Sequence, residues 1–230
     1  MFSDGRPIVC LVTDRTRLCA GCDGESSRRC LIAQVKEAVA AGVDLVQIRE
    51  RGVDAALLAG FVTQAVSAAR GSDTRIIVND RLDVARACGA DGVHLRADSV
   101  PPASVRAIVP PGFLVGRSVH GADEARLVAA DVDYVIAGTM YPTPSKPGAG
   151  RWLGVDGLAA VAQAVRVPVL AIGGVTIAHL PDVAGAGAAG IAAIGLFLGE
   201  EAGGACRSVP LRAIVEAARA AFAVRRGLTA

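Results

Sequence analysis

Short apolar runs recur along the chain, each followed by a polar cluster and then by an amphipathic stretch rich in alanine. The runs are "IVCLVTD", "VDLVQIRE", "RIIVND", "DGVHLR", "FLVGRSVH", "DYVIAGTM", "VPVLAIGGV" and "GIAAIGLFL". Their β-branched, nearly continuous apolar character is that of parallel strands buried on both faces. Between them, "LIAQVKEAVAAG", "AALLAGFVTQAVSAARG" and "GVDGLAAVAQAV" read as helices. In the last, Leu158, Val161, Ala162 and Val165 fall at i, i+3, i+4 and i+7, one face of a helix. About eight strand–helix units in 230 residues predict an α/β fold, a (β/α)8 TIM barrel, as one domain over residues 1–230. An open doubly wound sheet would alternate similarly. Against it, the first strand runs into "DRTRLCAGCDG", with no glycine fingerprint for a dinucleotide.

Composition adds that a large core is available, at 52% hydrophobic and 20% charged residues. A net charge of +2 without basic blocks gives no support to a nucleic-acid partner. No apolar run approaches a membrane span, and "MFSDGRPIVCLVTDRTR" lacks a signal architecture, so a cytoplasmic protein is expected. A homo-oligomer is compatible with a barrel of this size. The six cysteines are expected to be reduced thiols. Cys19 and Cys22, with Cys30 nearby, have the spacing of half a zinc site. No second pair follows, so they read as adventitious. The segment from Asp14 to Ser27 reads as a long loop.

In a barrel of parallel strands, chemistry gathers at the C-terminal strand ends. Gln47, Arg49 and Arg51 alternate there after strand two, an amide and two guanidiniums suited to a phosphate. A surface pairing of Arg49 with Glu50, or of Arg51 with Asp54, is the plainer reading. Thr143, Ser145 and Lys146, in the proline-rich "YPTPSKPG", add hydroxyls and one of only two lysines in the chain. Gly173-Gly174 and Gly195 allow a second anion to approach the backbone after strands seven and eight. Two anion sites imply two substrates, or one doubly charged one. Asn79-Asp80 suits magnesium and a diphosphate, but capping of the following helix is the more ordinary use of such a pair. His94 and His179 read as structural, and Trp152 as a loop residue that could pack on a heterocycle.

In this order the motifs resemble the thiamine-phosphate synthase and thiazole tautomerase superfamily over essentially the whole chain. The resemblance implies coupling of a pyrimidine diphosphate to a thiazole phosphate, with Mg2+ as cofactor. "QIRER" places Arg51 where the family has lysine, and "ND" assigns Asn79 to the pyrimidine diphosphate and Asp80 to magnesium. Ser118 in "RSVH" matches the family serine after strand five. "TPSK" implies that Thr143, Pro144 and Ser145 hold the thiazole phosphate and Lys146 the diphosphate. Gly174, Ile194 and Gly195 match the last elements. Arg49, Arg51, Ser118 and Lys146 are thereby implied in catalysis.

One departure concerns the metal. Where the synthase has a second magnesium aspartate, "RADS" supplies Ser99, with Asp98 one residue early as a substitute ligand. "RSVH" also resembles the tautomerase, a metal-independent isomerase in which His120 would be the acid/base near neutral pH. A non-catalytic phosphate-ligand binding protein is the remaining alternative.

Overall fold

The computed structural model describes residues 5–143, 152–198 and 210–227, with side chains to residue 223. Its strands are β1 (Ile8–Val12), β2 (Leu45–Ile48), β3 (Arg75–Asn79), β4 (Gly92–Leu95), β5 (Leu114–Val119), β6 (Tyr134–Gly138), β7 (Val169–Ile172) and β8 (Gly190–Ala193). Every neighbouring pair is parallel, and β8 returns to β1, closing the barrel in sequence order. The helices are α1 (Arg15–Leu18), α2 (Gly24–Ala40), α3 (Ala55–Ala69), α4 (Leu82–Ala87), α5 (Pro102–Arg106), α6 (Ala122–Val128), α7 (Gly154–Ala164), α8 (Leu180–Gly185), α9 (Gly195–Leu198) and α10 (Leu211–Gly227).

Alternation along each strand divides the core into two shells. Cys10, Val12, Leu45, Ile77, Leu114, Tyr134, Ile136 and Leu170 fill the barrel interior. Val9, Leu11, Val46, Ile76, Val78 and Val115 face outward to the helices. There Leu158 and Val161 of α7 are buried, with Ala162 and Val165 packed beside them, the face expected from spacing. Interior space is tight. A Cβ on Gly116 would lie 2.2 Å from the Tyr134 ring, so only glycine fits opposite that phenol.

The repeated turn before the strands has a physical cause. Asp44, Asp91 and Asp133 each accept the backbone N–H of the preceding strand, from Val9, Ile76 and Val115 at 2.9, 2.8 and 2.7 Å. Each also meets an arginine: Arg6, Arg75 and Arg106 respectively. These buckles lie at the N-terminal end of the barrel, the end opposite the chemistry.

Two expectations are corrected. The segment from Asp14 to Ser27 is no long loop. Asp14 accepts from Arg17 N to start α1, and Asp23 accepts from Ser26 N to start α2 at Gly24. Nor are all the cysteines reduced: Cys22 N donates to Cys19 O at 3.1 Å, a tight turn that brings their sulfurs together as a disulfide. Cys30 Sγ lies 3.1 Å from Cys19 Sγ. Cys10 and Cys88 are free thiols. No helix among the described residues is long and apolar enough to cross a membrane.

Candidate active site

Strand alternation points the last inward residue of several strands into the open end of the barrel. Gln47, Asn79, His94, Ser118 and Ile194 all line one cavity of about 980 Å³ there. Gln47 Nε2 donates to Asn79 Oδ1 at 2.9 Å, fixing both amides at the cavity floor. Arg49, Arg51, Asp80, Asp98, His120, Thr143, Gly174 and Gly195 line its walls. The expected residues therefore converge from β2, β3, β4, β5, β6, β7 and β8. Pro144, Ser145 and Lys146 lie outside the described residues.

The β2 corner is held from β1. Thr13 Oγ1 donates to Glu50 Oε1 at 2.6 Å and accepts from Arg49 N at 3.0 Å. Glu50 also accepts from Arg15 N and pairs with the Arg15 guanidinium at 3.5 Å. Burial pushes its carboxyl above the ordinary range, against the opposing pull of Thr13 and Arg15. With Glu50 engaged by these partners, the surface pairing of Arg49 with Glu50 does not form. Arg49 sits 3.7 Å from Asp14 instead, and its pKa is lowered by burial first and by neighbouring Arg51 second. Two neighbouring guanidiniums at one rim are a ready receptor for an anion.

Capping is not the role of Asn79-Asp80. The N-cap of α4 is Arg81, without a side-chain cap bond. Asp80 has φ +62°, a left-handed conformation that turns its carboxylate toward β4 rather than along α4. There Ser99 donates its hydroxyl to Asp80 Oδ1, and Arg96 Nη1 stands 3.8 Å from Oδ2. Asp98 lines the same cavity, yet its carboxylate is paired with Arg96 Nη2 and is 69% exposed. Among the described residues no group of three or more His, Cys, Asp or Glu converges as a metal cage. The donor set that does meet is one carboxylate and one hydroxyl. That fits a magnesium ion drawing its other ligands from substrate oxygens and water.

Opposite, Gly173 and Gly174 take φ +98° and +66°. A Cβ on Gly174 would stand 2.6 Å from Pro142 O, so glycine is required both by conformation and by space. Beside them His179 Nδ1 accepts from Thr176 N at 3.2 Å, and its ring stacks on Tyr141 at 4.0 Å. His179 is thus structural, as expected, and braces the loop after β7. Trp152 does not line the cavity.

His120 lines the outer edge of the cavity, 46% exposed on its side chain. Glu124 of α6 accepts from its backbone N at 2.8 Å and faces its Nδ1 at 3.3 Å. His94 is more than filler. It is 2% exposed, and its Nε2 meets the Ser118 hydroxyl at 2.9 Å. Burial, with Arg117 nearby, lowers its pKa to about 3. Arg17 and Arg96 also line the cavity. From sequence Arg96 stands among the polar residues at the end of strand four without a role of its own, and Arg17 reads as one more loop arginine.

Cations and paired amides line one side of the mouth and glycine-rich backbone the other, at the open end of a closed (β/α)8 barrel. Such folds host many chemistries. The chain belongs to the thiamine monophosphate synthase family, whose description matches residues 11–197. It is 38% identical over 199 residues to a thiamine-phosphate synthase of Roseiflexus castenholzii, covering 86% of this chain and 84% of that one. To a putative thiamine-phosphate synthase of Geobacter sulfurreducens it is 38% identical, covering 83% and 86%. Among solved structures it resembles a thiamine phosphate pyrophosphorylase from Pyrococcus furiosus, with TM-score 0.76, 27% identity and coverage of 94% and 96%. A 3-hexulose-6-phosphate synthase shares the fold alone, with TM-score 0.64 and 20% identity.

Proposed function

We propose that this barrel is a transferase of thiamine biosynthesis, joining a hydroxymethylpyrimidine diphosphate to a thiazole phosphate with release of pyrophosphate. The family and its curated relatives support that activity. The observation that carries the division of labour is the two-sided mouth. Arg49, Arg51, Asn79 and Asp80 stand on one side, and Gly173-Gly174 on the other.

On this reading the diphosphate lies against Arg49 and Arg51, whose guanidiniums accept charge as the bond to the pyrimidine methylene breaks. Gln47 and Asn79, locked to each other, orient the substrate from below. Ser118, held by His94, presents a hydroxyl to the same space. The thiazole phosphate takes the glycine side with Thr143, and brings its ring nitrogen to the methylene carbon. No protein base is needed, because that nitrogen carries the attacking electron pair. Pro144, Ser145 and Lys146 would complete both anion sites. Asp80 and Ser99 would hold a magnesium ion, which when bound neutralises diphosphate charge. Coupling by the purified protein, followed as thiamine phosphate formed from both substrates with Mg2+ or with EDTA, tests the reading. Absence of product at saturating substrates and Mg2+ would overturn it.

A further inference from the structure

We infer that Arg96 is a diphosphate-binding residue, a third guanidinium that reaches the leaving group from the β4 side. The inference rests on the synthase reading for its substrate and deepens it.

Arg96 starts a turn that is braced by several hydrogen bonds. Its N–H donates to Ser99 Oγ at 2.9 Å, and Ser99 N returns a bond to Arg96 O at 3.0 Å. From β5, the Arg117 guanidinium donates to the carbonyls of Ala97, Ser99 and Val100 at 2.8, 3.3 and 2.9 Å. The turn therefore presents Arg96 to the cavity from a braced base. Ser99 is committed to Asp80. Among the described residues the Arg96 guanidinium hydrogen-bonds to Asp98 through Nη2, while Nη1 makes a looser ion pair with Asp80 at 3.8 Å.

Both partners of that pair are more than half exposed, Arg96 at 56% and Asp98 at 69%. Exposed pairs hold weakly. A diphosphate beside Asp80 offers a better acceptor: more charge, and oxygens spaced for the planar fork of a guanidinium. Arg49 and Arg51 approach from β2 and Arg96 from β4, with Asn79 and Asp80 between them. Where a second carboxylate would require a metal to bridge it to the diphosphate, a guanidinium binds the diphosphate directly. Part of its affinity should then need no magnesium.

Calorimetric titration of the full chain with inorganic pyrophosphate, in EDTA and in Mg2+, tests this without relying on turnover. The wild type is expected to bind in EDTA. Arg96→Gln should weaken that binding about tenfold, the scale of one charge-assisted contact, and less in Mg2+. Thiazole-phosphate affinity should not move. Asp98→Asn should tighten pyrophosphate binding in EDTA, and should do so less in the Arg96→Gln background, a coupling measured by the double-mutant cycle of the two. Equal pyrophosphate affinity in wild type and Arg96→Gln, or independence of the two substitutions, overturns the inference. A wild type that couples substrates but binds no pyrophosphate in EDTA also overturns it. A wild type that does neither sinks the synthase reading instead.

Discussion

His94 Nε2 lies 2.9 Å from the Ser118 hydroxyl, at the floor of the cavity, and the imidazole is stacked on Tyr134 at 5.7 Å. The ring is buried and its pKa falls to about 3, so it stays neutral through the physiological range. A neutral ring can hold the Ser118 hydroxyl in one orientation.

This has a sign for stability. The native pKa of about 3 lies below the unfolded value near 6.5. The contribution is complete above pH 6.5 and is lost as pH falls toward 3, because the unfolded chain binds the proton first. The slope is at most about 1.4 kcal/mol per pH unit. Denaturant unfolding of wild type and His94→Gln between pH 7 and 4.5 measures it. The variant should show the shallower fall, and identical slopes would remove His94 from the account.

Asp44 is expected to matter for stability and not for chemistry. It accepts from Val9 N at 2.9 Å and pairs with Arg6, at the barrel end away from the cavity. Asp44→Ala leaves that buried N–H without its acceptor, a loss of about 1–3 kcal/mol. The melting temperature should drop while activity per folded molecule holds. A fall in kcat at a temperature where the variant is fully folded would contradict this placement.

The eight strands and the convergence of strand ends were legible because periods of two and 3.6 are written locally in the side chains. Gln47, Asn79 and Ser118 follow from that alternation once the barrel closes. What alternation does not carry is the partner of each polar group. Capping by Asp80 failed because its positive φ turns the carboxylate to Ser99, nineteen residues away. Glu50 was offered to its neighbour Arg49, yet binds Thr13 and Arg15 across the β1–β2 pair. The role of His94 depends on Ser118 of the adjoining strand. Spacing alone also hid the sulfur contacts, since Cys30 reaches Cys19 only once α2 has folded back.

Those sulfurs give a chemical test. Cys19 and Cys22 close a very short loop, so the bond should stabilise by about 2 kcal/mol at most. A non-reducing tryptic digest should yield the peptide from Leu18 to Arg28 lighter by two hydrogens. After reduction the melting temperature should fall by a few degrees, with activity nearly unchanged. Full reduction of that peptide in protein purified without reductant would return both residues to the thiol state expected from sequence.

The last prediction concerns charge at the β3–β4 corner. Asp80 accepts the Ser99 hydroxyl there and makes a looser ion pair with Arg96, while Asp98 pairs with Arg96 at the exposed rim. Ser99→Asp should restore a second carboxylate, and should lower the Mg2+ needed for half-maximal coupling. The same change removes a hydrogen bond to Asp80 and brings two like charges together, so in EDTA it should weaken pyrophosphate binding. Asp80→Ala should abolish coupling. His120→Ala should reduce it only moderately, because His120 stands at the outer edge with Glu124 as its partner. An acid/base role for His120 reverses that order. The imidazole variant would then lose all activity, while Asp80→Ala and EDTA would leave it intact. Rates for these three variants, each at a series of Mg2+ concentrations, separate the two outcomes. Metal-independent isomerisation of the thiazole, without coupling at saturating Mg2+, would exclude the transferase assignment.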